Sequence, residues 1–67
     1  MEKFILKMWT VNKLTGRAEV LKSIIFEAEN MEDAKTQRYG LVRKNPHTAR
    51  MTQKVTIEKF TFKKSSI

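Results

Sequence analysis

The stretch Ala18-Glu-Val-Leu-Lys-Ser-Ile-Ile-Phe-Glu-Ala-Glu-Asn-Met-Glu-Asp-Ala34 decides the fold, because a strand gives way within it to a capped helix. Residues 18–29 are β-branched and apolar enough to read as a strand. By the period of two, Val20, Lys22, Ile24, Phe26 and Ala28 share one face, and Leu21, Ser23, Ile25, Glu27 and Glu29 share the other. Asn30 is a favoured N-cap, and Glu32 and Asp33 fall in the first turn, where the helix dipole stabilises carboxylates. Gly40 has the character of a residue just past a helix end. The spacing predicts a helix over 31–39, with Met31 and Ala34 towards the sheet. So short a helix is marginal alone and must be held by packing.

Upstream, residues 3–12 read as a first strand with Phe4, Leu6 and Met8 on one face and Lys3, Ile5, Lys7, Trp9 and Val11 on the other. Asn12 to Arg17 is a turn in which Gly16 supplies a positive φ. Downstream, residues 41–52 show no period and contain the turn signal Asn45-Pro46, so they read as a long loop. Residues 53–63 read as a third strand. Val55 and Ile57 have one parity, Phe60 and Phe62 the other. An unbroken ladder, the expected case, turns Val55 and Ile57 inward; a bulge near Glu58-Lys59 would gather all four on one face. Residues 64–67 are expected to fray.

The expectation is a single α+β domain over 1–67 with β-β-α-β order. A right-handed crossover places strand three antiparallel beside strand one, in sheet order 2-1-3. One helix covers only one sheet face. The other face then carries Trp9, Phe60 and Phe62 among Lys3 and Lys7.

The chain has 67 residues, enough for one small core. It has no cysteine, which excludes disulfides and thiolate metal sites. Its longest apolar runs, Phe4-Ile5-Leu6 and Ile24-Ile25-Phe26, are too short for a secretory signal or a membrane span, so a cytoplasmic protein without membrane contact is expected.

The net charge is +7 and unevenly spread. Residues 1–34 carry five basic and six acidic side chains, a balance of −1; residues 35–67 carry nine basic side chains against Glu58 alone, a balance of +8. A field this concentrated suits a polyanion. Arg43, Lys44, Arg50 and Lys54 flank Pro46 and His47, and with Arg38 they could follow a phosphate backbone. The same segment also suits a plain solvated connector. On the open face, Trp9 and Phe60 could stack on bases while Lys3 and Lys7 meet phosphates. Equally, Ile5, Trp9, Ile25, Phe60 and Phe62 suit a homodimer interface or the docking of an acidic protein surface.

Catalytic chemistry is not expected. His47 is the sole histidine and has no acid near it in sequence. Ser23, Ser65 and Ser66 lie in no nucleophile motif. Glu27, Glu29, Glu32 and Asp33 are explained by the helix dipole. Gly16 and Gly40 stand apart, so there is no phosphate-cradling glycine loop. No metal, cofactor or catalytic residue is assigned.

The segment Phe26-Glu-Ala-Glu-Asn-Met-Glu-Asp-Ala34, the basic stretch with His47 and Arg50, and Val55-Thr-Ile-Glu-Lys59 together resemble the small archaeal ribosomal protein LX family. The resemblance implies a β-β-α-β domain that binds ribosomal RNA of the large subunit, with His47 and Arg50 as the contacts carried over. A small, lysine-rich, cysteine-free domain with an open sheet also resembles bacteriophage accessory proteins. That likeness implies the alternative, a modulator of a host protein or nucleoprotein complex, with homodimerisation left open. The first expectation is a non-catalytic nucleic-acid-binding domain, for RNA before DNA.

Overall fold

A computed structural model describes residues 1–60. In order, the elements are β1 (Glu2–Val11), β2 (Ala18–Ala28), α1 (Met31–Arg43), α2 (Pro46–Met51) and β3 (Lys54–Lys59). The three strands form one antiparallel sheet in the order β2-β1-β3. Its central strand is β1, the strand whose alternation is cleanest. The expected fray over 64–67, the last residues of the expected third strand and Phe62 lie outside the described residues.

The β1–β2 hairpin closes through Asn12. Its backbone N–H donates to the Arg17 carbonyl (2.9 Å), its carbonyl accepts from Gly16 N–H (2.7 Å), and its Oδ1 accepts from Leu14 N–H (2.9 Å). Gly16 adopts φ +71°, the conformation that favours glycine.

The β2 register contains a bulge the alternation did not foretell. Lys22 lies opposite Met8, but Val20 lies opposite Trp9, so Leu21 is an extra residue with no partner. Val20 therefore moves off the helix-covered face where it was expected and onto the open one, beside Trp9. It is 41% exposed. Either phase places an apolar residue inward, so the pattern of Val20 and Leu21 alone could not choose.

In α1, Asn30 Oδ1 accepts from Asp33 N–H (2.9 Å), and Asp33 Oδ2 accepts from Glu29 N–H (3.0 Å). The two bonds satisfy one donor in the first turn and one just before the cap. The helix does not stop at Gly40, as expected, but runs to Arg43 with Lys44 as C-cap. Leu41 and Val42 are half-buried, and their burial offsets the roughly 1 kcal/mol cost of an interior glycine. The last carbonyls are met by Lys44 N–H on Gly40 (3.2 Å) and by Asn45 Nδ2 on Leu41 (2.9 Å).

The expected long loop is largely a second helix. Pro46 occupies the first turn of α2, where its missing N–H and fixed φ are favourable. Asn45 accepts from Ala49 N–H (2.9 Å), and Thr52 Oγ1 donates to the Thr48 carbonyl (2.7 Å). Asn45-Pro46 is thus a helix start rather than an open turn. Six residues are too few to show a helical period.

β3 pairs with β1 without a register shift, Val55 opposite Met8 and Ile57 opposite Leu6, as the unbroken ladder requires. Phe4, Leu6, Met8, Ala28 and Ala34 are buried. Phe4 and Phe26 stack with ring centroids 6.0 Å apart. α1 packs against β2 and β3, and α2 against α1 and β1. The helices and the sheet make two layers, 16 Å across their thin dimension between Cα positions. The other sheet face stays open, with Ile25 55% exposed.

Candidate nucleic-acid interface

The topology turns a charge bias along the chain into a charge bias along the molecule. α1 starts where β2 ends and runs back along the sheet. Asn45, at the α1–α2 junction, is tied to β2 by a hydrogen bond from Lys22 Nζ to its Oδ1. β3 then begins beside the end of β1, where Gln53 N–H donates to the Trp9 carbonyl (2.8 Å) and Gln53 Oε1 accepts from Val11 N–H (3.0 Å). The hairpin lies at this same end. Arg43, Lys44, His47 and Arg50 therefore lie towards this end on the helix side, with Lys54 on the open sheet face and Lys13 and Arg17 in the hairpin, and with Glu19 as the acid. Glu2, Glu27, Glu29, Glu32, Asp33 and Glu58 stand towards the opposite end. The reading of the chain in halves missed Lys13 and Arg17, because they belong to the near-neutral first half and reach the basic end only through the fold.

Within α2, His47 and Arg50 are three residues apart and share the solvent face, while Thr48 and Ala49 turn inward and are half-buried. Arg43, Lys44, His47, Arg50 and Lys54 are all exposed. Among the described residues the one ion pair is Lys59–Glu2 (2.7 Å), at the other end. None of the cations at the basic end is within salt-bridge distance of a described carboxylate. Arg38 does not join them. Five residues before Arg43, it lies about 140° around the helix, with its guanidinium 5.3 Å from the centre of the Tyr39 ring. Tyr39, 69% exposed, was not singled out by sequence; an aromatic between Arg38 and Gly40 was the available signal.

The open face carries Lys3, Ile5, Lys7, Trp9 and Val11 from β1. The Trp9 indole N–H donates to Thr56 Oγ1 (2.8 Å), and Lys7 Nζ lies 5.8 Å from the ring centre. Thr56 was not anticipated, since a cross-strand diagonal is legible only once register is known. Phe60 N–H donates to the Lys3 carbonyl (2.9 Å), which places Phe60 opposite Lys3. Lys3 is six residues along β1 from Trp9, about 20 Å. Trp9 and Phe60 share a face, as expected, but they are not neighbouring steps of one stacking platform.

An open depression on α1, lined by Thr36, Gln37, Gly40, Leu41 and Lys44, has Lys44 as its one charged residue. Among the described residues no three His, Cys, Asp or Glu side chains stand together, and no buried side-chain N or O lacks a partner. No described helix is long and apolar enough to cross a membrane. The chain matches no known protein family, no curated protein and no solved structure.

Proposed function

We propose that this domain binds nucleic acid through the phosphate backbone at its basic end, without catalysis, in the cytoplasm. The observation that carries the reading is the placement of Arg43, Lys44 and Arg50 at the same end of the molecule as the hairpin cations Lys13 and Arg17, with Lys54 on the sheet side of that end and no described carboxylate paired to any of them. Unpaired exposed cations on one end of a small body give a local positive field that attracts a polyanion and speeds its encounter. The side chains come from a helix end, a six-residue helix and a strand start. That geometry follows a backbone and does not insert a reading helix into a major groove. RNA is preferred over DNA on the resemblance to the archaeal ribosomal family alone, since charge does not separate the two. Trp9, half-buried on the open sheet face, would add base stacking to this reading, but the phosphate contacts at the basic end do not depend on it.

The test is fluorescence anisotropy with a labelled single-stranded RNA and its DNA counterpart. The variant Arg43→Ala/Lys44→Ala/Arg50→Ala is expected to lose at least tenfold in affinity for both, as three phosphate contacts imply. Wild-type affinity in that variant would remove the proposal.

The alternative reading, a modulator of another protein, draws on the exposure of Val20 and Ile25. The sign pattern of that face favours a more specific occupant.

A further inference from the structure

The open sheet face carries a pattern that reverses sign about its middle. Lys7 occupies the centre, between Ser23 on β2 and Thr56 on β3. One row towards the basic end lies Val20–Trp9–Lys54; one row towards the acidic end lies Ile25–Ile5–Glu58. Both rows have apolar residues on β2 and β1 and a charge on β3, and the two charges are opposite. The β2 bulge sets which residue joins this row: Val20 stands opposite Trp9, where an unbroken ladder would place Leu21.

A second copy turned about a two-fold axis along the Lys7 row meets the face row against row. Trp9 comes over Ile5 of the second copy, Val20 over Ile25, and Lys54 over Glu58. The same rotation lays the basic end of each copy over the acidic end of the other. A two-fold axis parallel to the strands would instead stack basic end on basic end. We propose that the open sheet face is a two-fold interface with a second copy of this chain, in which Lys54 of each copy faces Glu58 of the other.

Two antiparallel sheets packed face to face, with strands aligned to within about 30°, are a standard layer arrangement. Lys7 on the axis is accommodated because its ammonium lies 5.8 Å from its own Trp9 ring, so the two ammonium groups diverge. The face measures about 30 Å by 15 Å, or roughly 450 Å² per copy. That is below the roughly 800 Å² per partner of a standard interface. The dimer is therefore expected to be a weak, reversible one.

The test is sedimentation equilibrium on the full chain, purified free of nucleic acid, from about 1 µM to about 1 mM, a range that spans the expected affinity. The expected mass rises from 7.9 kDa towards twice that value. Ile25→Glu changes an exposed residue and is expected to abolish the rise while keeping the wild-type circular dichroism. Lys54→Glu and Glu58→Lys should each weaken association about tenfold or more through like-charge contacts. The double variant Lys54→Glu/Glu58→Lys should recover most of it, because the swapped charges face each other again. Lys54 and Glu58 are four residues apart along one strand, so no contact within a chain explains such a recovery. A wild-type chain that stays monomeric throughout, or a double variant no better than the singles, would overturn the proposal, including the case where the face serves a different protein. The measurement involves no nucleic acid, so its failure leaves the reading of the basic end standing.

Discussion

Trp9 and Thr56 are joined diagonally across the β1–β3 pair, with the indole N–H donating to the threonine hydroxyl at 2.8 Å. Thr56 lies opposite Lys7 rather than opposite Trp9, so the bond leans the ring along the strand and over β3. It fixes an amphipathic ring on a face that water reaches. Thr56→Val keeps the shape and β-branching and leaves the indole donor without its partner. The expected loss is about 1 kcal/mol, the usual net worth of such a bond. Trp9 is the chain's one tryptophan, so a urea titration followed by its emission reads both the stability and the ring's surroundings. An unchanged midpoint and an unchanged emission maximum would show that the bond does not hold the ring.

The two glycines separate cleanly. Gly40 has no positive φ and lies inside α1, where an added Cβ would meet nothing within 4 Å. Gly40→Ala is therefore expected to stabilise by about 0.5–1 kcal/mol. Gly16 adopts φ +71°, and Gly16→Ala is expected to destabilise by about 1 kcal/mol despite open space around it. Thermal melts read both signs. A lowered midpoint for Gly40→Ala would mean that the helix ends there after all.

The Asn30 and Asp33 side chains hold the start of α1, accepting from Asp33 N–H and Glu29 N–H respectively. Asn30→Ala is expected to cost about 1 kcal/mol, and Asn30→Asp to cost far less, because aspartate accepts the same bond. For a domain of this size 1 kcal/mol moves the thermal midpoint by about 4–8 °C. Equal losses for the two variants would take the cap out of the account.

Leu21 is the unpaired residue of the β2 bulge. Deleting it closes the ladder without changing which residues lie opposite Met8 and Trp9. The shortened chain is expected to keep a cooperative thermal transition. Deleting Ile25 instead slips half the strand by one residue and exchanges its faces, so that chain should not fold cooperatively. A deletion of Leu21 as damaging as that of Ile25 would place the irregularity elsewhere.

The sheet order was legible because a right-handed crossover places strand three beside strand one, and the dense apolar content of Phe4 to Trp9 suits a strand flanked on both sides. The start of α1 was legible because Asn30, Glu32 and Asp33 act through local bonds and local charge. The end was not, because the burial of Leu41 and Val42 that carries the helix past Gly40 is a tertiary effect. α2 was hidden by brevity and by Asn45-Pro46, a pair that serves turns and helix starts alike. Of the candidate site, Arg43, Lys44, His47 and Arg50 lie together on the helix side, as their proximity in sequence suggested, while Lys54 shares their end of the molecule from the open sheet face. Arg38 does not, since the helical turn points it elsewhere. Lys13 and Arg17 enter the basic end only because the hairpin and the α1–α2 junction lie at one end of the sheet.

The central claim, that the basic end binds nucleic acid through phosphates, is tested most directly by the salt dependence of RNA binding. Each phosphate contact to a single strand contributes a slope of about −0.7 in log affinity against log salt concentration. Four to six contacts from the basic end predict a slope of about −3 to −4, and Arg43→Ala/Lys44→Ala/Arg50→Ala should shrink it by about 2. A slope near zero, or one the triple variant leaves unchanged, would contradict the account.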